Sequence, residues 1–117
     1  MARTILTPVL TPRATVPMNG LILTLTAWDA ANGNRFLSTG KELLLVQNTH
    51  ASTTYTVTVT SVADALGRTK DIAAFSMVAQ ALAIFGPFDS LGWMQTDGYI
   101  YIDANNAAVK FQVITLP

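Results

Sequence analysis

The single histidine, His50, stands two residues before Ser52 in the polar run Asn48-Thr49-His50-Ala51-Ser52. A nucleophilic serine needs a base brought to it by the fold and a sharp Gly-x-Ser-x-Gly turn to present its hydroxyl. Neither is written here, so His50 reads as a solvated loop histidine. The seven carboxylates are Asp29, Glu42, Asp64, Asp71, Asp89, Asp97 and Asp103. Glycoside hydrolysis needs two of them facing each other at roughly 5–10 Å, and no spacing in the chain favours a pair. Asp64, Asp89 and Asp97 occupy turn positions, where a carboxylate bonds local backbone N–H groups. Asp29, Asn32 and Asn34 carry the oxygen ligands that calcium takes, but their spacing is not that of an EF-hand loop and no Glu closes it. Gly86-Pro87 lacks the following helix and the lysine of a phosphate-binding loop. Trp28, Trp93, Tyr99 and Tyr101 are the residues from which a stacking platform for a sugar or base would be built. Aromatic residues in strands pack cores and interfaces more often than they stack ligands. The reading is therefore of a non-enzyme with no metal and no cofactor.

Composition narrows the class further. Only 12% of the 117 residues are charged, and seven basic side chains balance seven acidic ones. A typical domain has about twice that density of charge. Half of the residues are hydrophobic. A lone domain with so few charges is weakly protected against self-association, so an assembly that buries part of its surface is expected. The lysines and arginines are scattered from Arg3 to Lys110 without a basic cluster, which argues against a nucleic-acid partner. Apolar runs such as residues 43–46 are far short of the ~20 residues of a spanning helix. Thr7, Pro8, Thr11, Pro12 and Arg13 interrupt any apolar region near the N-terminus, so neither a secretion signal nor a membrane partner is expected. The chain has no cysteine, hence no disulfide framework or thiolate site.

The elements follow from alternation and turn residues. Residues 1–19, with Pro8, Pro12 and Pro17 fixing φ and pushing their predecessors into extended conformations, predict an extended N-terminal arm. Its apolar residues Ile5, Leu6, Val9 and Leu10 suit addition as an edge strand, to its own domain or to a neighbour. Residues 20–117 predict a single domain. Strands are expected over residues 21–26, 41–48, 53–62 and 71–75, then, as extended chain, 76–83, and further over 91–95, 99–103 and 109–116. Asn32-Gly33 and Asp97-Gly98 mark tight turns, and Gly86-Pro87 a bend. Residues 41–62 read as an antiparallel hairpin, with Tyr55, Val57 and Val59 inward and a threonine ladder outward. About eight short strands at this spacing make an all-β chain, an antiparallel β-sandwich or a barrel.

The run Lys41-Glu42-Leu43-Leu44-Leu45-Val46-Gln47-Asn48-Thr49, the strand Tyr55-Thr56-Val57-Thr58-Val59-Thr60, the loop Gly67-Arg68-Thr69 and the bend Phe85-Gly86-Pro87-Phe88 together resemble small proteins encoded among the head genes of tailed bacteriophages and prophages. The resemblance covers roughly residues 20–117, and its motifs are structural. It implies a jelly-roll-like or other β-sandwich domain that decorates or cements a capsid, often as a trimer. It also implies the major capsid protein and copies of itself as partners, with synthesis in the host cytoplasm and residence on the virion surface. The mechanism implied is mechanical, many weak contacts summing over the shell. The residues expected to make assembly contacts are Ile5, Leu6, Val9 and Leu10 of the arm and the loop aromatics Trp28, Phe88 and Trp93. On this reading the arm is dispensable for folding. The alternative is a carbohydrate- or receptor-binding sandwich on the virion surface or tail, with Trp28 or Trp93 as its platform.

Overall fold

A computed structural model describes residues 3–10 and 22–116. Residues 11–19 of the expected arm and the start of the strand expected over 21–26 lie outside the described residues. Among the described residues the chain forms β1 (Thr4–Ile5), β2 (Val9–Leu10), β3 (Thr26–Ala27), β4 (Asn34–Leu37), β5 (Glu42–Asn48), β6 (Tyr55–Val59), β7 (Ile72–Met77) and β8 (Leu82–Phe85). A single turn, α1 (Ser90–Trp93), then precedes β9 (Tyr99–Ala104) and β10 (Val109–Thr115). The first sheet has the order β1-β4-β9-β6-β7. The second runs β2-β10-β5-β8, with β3 also on β10.

The two sheets pack face to face as a β-sandwich, without closing into a barrel. Alternation along each strand supplies the shared core. In β5, Leu44 and Val46 point inward while Leu43 and Leu45 lie on the opposite face, half-buried. Val57 and Val59 of β6, Ile100 and Ile102 of β9, and Phe111 and Val113 of β10 complete the interior. Two buried polar side chains are fully employed there. Asn48 donates to the carbonyls of Thr53 and Met77, both at 2.8 Å, and accepts from the His50 amide at 3.0 Å. Glu42 accepts from the Thr39 amide at 2.6 Å and from the Thr39 hydroxyl.

Four elements differ from the sequence reading. The sheets are mixed rather than antiparallel, because β1 runs parallel to β4 and β2 parallel to β10. Residues 41–62 are not a hairpin: β5 pairs with β10 and β8, and β6 with β7 and β9. Both strands carry apolar inner faces, and burying both favours opposite sides of one core over neighbouring places in one sheet. Asn48 ties the loop between them at the crossing. Among the described residues of the strand expected over 21–26, only Thr26 joins β3, and one flank of β10 is divided between β3 at Lys110–Phe111 and β2 at Ile114–Thr115. Residues 91–95 form a turn in place of a strand, since Gly92 takes φ +104° and Met94 bonds back to the Ser90 carbonyl. The extended reading of 76–83 holds on both sides of a tight turn, which Ala81 closes on the Val78 carbonyl.

Candidate functional site: two outer faces and a loop pocket

The N-terminal segment belongs to the sandwich. Between β1 in one sheet and β2 in the other lie only Leu6, Thr7 and Pro8, and Leu6 enters the core at 5% exposure. Arg3 anchors the start. It forms a two-pronged ion pair with Asp103, both contacts 2.9 Å, and its guanidinium lies 4.5 Å from the centre of the Tyr101 ring. Gly33 makes room for this staple. A Cβ there would lie 2.5 Å from Arg3 Nη1 and 2.6 Å from Asp103 Oδ1, and φ is +73°. Of the four arm residues expected to reach a partner, Leu6 is therefore unavailable, Val9 is half-buried, and Ile5 and Leu10 are exposed.

Phe88 is corrected as well. It is no exposed loop aromatic but a core residue at 3% exposure, tilted against Phe36 at 6.0 Å and Trp93 at 5.3 Å. Trp93 and Trp28 are half-buried against the core, and Trp28 is held to β10 through the Val109 carbonyl. The structure joins Phe88 with Trp93 and places Trp28 elsewhere, so the three do not form one platform.

The outer face of the first sheet carries an internally bonded polar cluster across β4 and β9, with Ile5 and Leu37 exposed beside it. Arg35 on β4 lies beside Tyr101 on β9 in register. Its guanidinium sits 4.3 Å from the Tyr99 ring centre and bonds Asp97 at 2.9 Å, and the Tyr101 hydroxyl donates to the same carboxylate at 2.6 Å. Partial desolvation pushes the Asp97 carboxyl up, but bonds from the Tyr101 hydroxyl and Tyr99 amide, with Arg35, outweigh it and hold it below the usual range. The same bond to Asp97, with desolvation and the carboxylate charge, raises the Tyr101 phenol. With Arg3, the result is an alternating stack of guanidinium and phenol groups.

The outer face of the second sheet is more apolar, although Lys110, Gln47 and Gln112 also stand on it. Cross-strand rows run Val9–Ile114–Leu43 and Gln112–Leu45–Ile84, with Leu82 beside Gln47. Leu82 and Ile84 are 60% and 59% exposed. They belong to β8, which is an edge strand among the described residues. The adjacent edge, β7, is interrupted: Ala74 takes φ +47°, its amide bonds the Thr58 hydroxyl, and the register to β6 shifts. Such a bulge blunts an edge against strand addition, whereas β8 pairs with β5 in unbroken register. The sequence signal for this face lies in the run 43–46, expected within a strand, and in Leu82 and Ile84, of which only Leu82 falls in the stretch 76–83 expected to be extended.

Other candidate groups resolve into local structure. His50 Nδ1 accepts from the amides of Ser52 and Thr53 at 3.1 and 3.0 Å, so it shapes its own loop. Asp29 accepts from the amides of Ala31 and Asn32 and from the Thr4 hydroxyl, which occupies the oxygens that a calcium ion would need. Among the described residues, no group of three or more acidic or histidine side chains gathers. A cavity of about 240 Å³ opens where the 61–70 loop meets α1. The chain matches no family model, no curated protein and no solved structure.

Proposed function

We propose that this protein is an accessory coat protein of a tailed bacteriophage, a decoration or cementing module that docks on the assembled capsid and stabilises it. The observation that carries the reading is the apolar outer face of the second sheet, ending in the exposed Leu82 and Ile84 of an open edge strand. Apolar side chains fixed on a rigid sheet bind with little loss of conformational freedom, and many copies on one lattice add their small contributions. The low charge of the chain agrees with a surface that is covered in the assembly. The likeness of its strand and turn motifs to phage head proteins points the same way. The partners are the major capsid protein and further copies of this chain, the latter as a trimer, and the site of residence is the virion surface. The outer edge of β8, unpaired among the described residues, offers backbone groups for strand addition to a neighbour.

The test is co-sedimentation of the purified chain with empty capsid shells stripped of accessory proteins. Saturable binding is expected, weakened at least about tenfold for each of Leu82→Lys and Ile84→Lys, since an apolar anchor at an interface centre is worth that much. Undiminished binding by the double variant would overturn the assignment of this face. Absence of binding by the native chain would overturn the coat function.

A further inference from the structure

We infer that the pocket between the 61–70 loop and α1 is a binding site for an acidic saccharide. Its lining combines an apolar wall, hydroxyls and two cations with Val62 and one carboxylate, Asp64. Trp93 and Leu91 form an apolar wall, and Gly92 between them leaves open space, with nothing within 4 Å of the place a Cβ would take. The C–H face of a sugar ring can therefore settle against the wall and approach the backbone closely. Thr69 brings a hydroxyl and Ser61 a hydroxyl oxygen whose proton goes to Asp71, while Arg68 and Lys70 bring two positive charges.

The carboxylates nearby are already engaged. Asp64 accepts from the amides of Leu66 and Arg68 and, at 2.8 Å, from Arg68 Nε. Asp71 accepts from the amide and hydroxyl of Ser61. Arg68 is thus oriented through Nε, and among the described residues its two terminal nitrogens have no partner. Lys70 has no ion pair among the described residues. A guanidinium held in this manner and a neighbouring ammonium suit a carboxylate or sulfate carried on a ring. The volume, about 240 Å³, is below the roughly 300–1,000 Å³ of sites for larger ligands and fits a single sugar residue, while the open mouth leaves room for the rest of a chain. The site is separate from the Leu82–Ile84 face and does not depend on the coat reading.

The test is a titration of the full isotope-labelled chain, followed by amide and indole NMR signals, with a tetrasaccharide of alternating glucuronic acid and N-acetylglucosamine. Saturable shifts are expected at Gly92, at the Trp93 indole and through residues 61–70, with the Trp28 indole unmoved. Arg68→Gln and Lys70→Met should each weaken binding about tenfold, the scale of one charge-assisted contact. If Arg68→Gln disturbs the loop through Asp64, Lys70→Met carries the same comparison. The neutral N-acetylglucosamine tetramer should bind at least about tenfold more weakly. No shift at the pocket, equal affinity for the neutral tetramer, or equal affinity for sodium sulfate alone would each overturn the proposal. The Leu82→Lys, Ile84→Lys variant should keep its saccharide binding, so failure here is distinct from failure of the capsid test.

Discussion

The two outer faces of the sandwich are made from the same kind of alternating strand, yet they spend their side chains differently. On the first sheet, Arg3, Arg35, Tyr99, Tyr101, Asp97 and Asp103 bond one another across β4 and β9. On the second, Leu43, Leu45, Ile114 and the exposed Leu82 and Ile84 carry no such mutual polar bonds. The first face therefore acts within the molecule, holding the N-terminal segment and the β4–β9 pair in place. The second has surface left for another molecule. In a chain of low charge, gathering two of the three ion pairs among the described residues on one face leaves the other suited to association.

This contrast can be broken by substitution. The largest stability effect is expected where the first sheet's staple leads into the core. Leu6→Ala should cost about 2–5 kcal/mol in chemical denaturation, as for other buried leucines, and removal of residues 1–10 should cost more. The finding of a stable, native-like sandwich after that deletion would return the segment to the role of a detachable arm. The sequence reading had expected such an arm, since its prolines and Thr-rich spacing are equally compatible with edge strands at home or on a neighbour. Nothing local indicated that Leu6 would cross between the sheets.

A smaller effect is expected at Asp97. Asp97→Ala removes the acceptor of the Tyr101 hydroxyl and of one arm of Arg35 at a solvent-facing site, at a cost of about 0.5–1.5 kcal/mol near neutral pH. The acid limb sharpens the point. The folded carboxyl lies below its ordinary value of 3.8, so its contribution is complete above that value and is lost as pH falls through the lower folded one. Denaturation midpoints measured from neutral pH downward should fall below about pH 4, and Asp97→Asn should reduce that fall. Asp29, Asp64 and Asp71 are lowered in the same direction by their own hydrogen bonds, so part of the fall remains. An unchanged acid limb in Asp97→Asn would show that the stack contributes nothing to it.

The smallest stability change is expected on the second face. Leu82→Lys and Ile84→Lys replace side chains that are mostly in water, and each should move the unfolding free energy by no more than about 0.5 kcal/mol. Light scattering should show any oligomer of the native chain dispersed by the same pair. A large loss of stability would mean that this face is covered within the chain itself.

The sequence by itself determined the class of the fold and the identity of much of its core. Alternation at Tyr55–Val59, Tyr99–Ala104 and Val109–Thr115 sorts the side chains of each strand into two sets, because the pleat has a period of two, and one set of each forms the core. The turns at Asn32-Gly33 and Asp97-Gly98 were legible for the same local reason, with both glycines at positive φ. Little of the candidate site could be read in this way. Trp93 was named from its type, but Phe88 was named with it and is buried, and the partners of Arg3, at Asp103 and Tyr101, lie about a hundred residues away. Which sheet a strand joins, which of two alternating faces meets water, and which loops close a pocket depend on contacts between distant segments. Periodicity gives each strand two faces, and only packing against the other sheet decides which one is the outside.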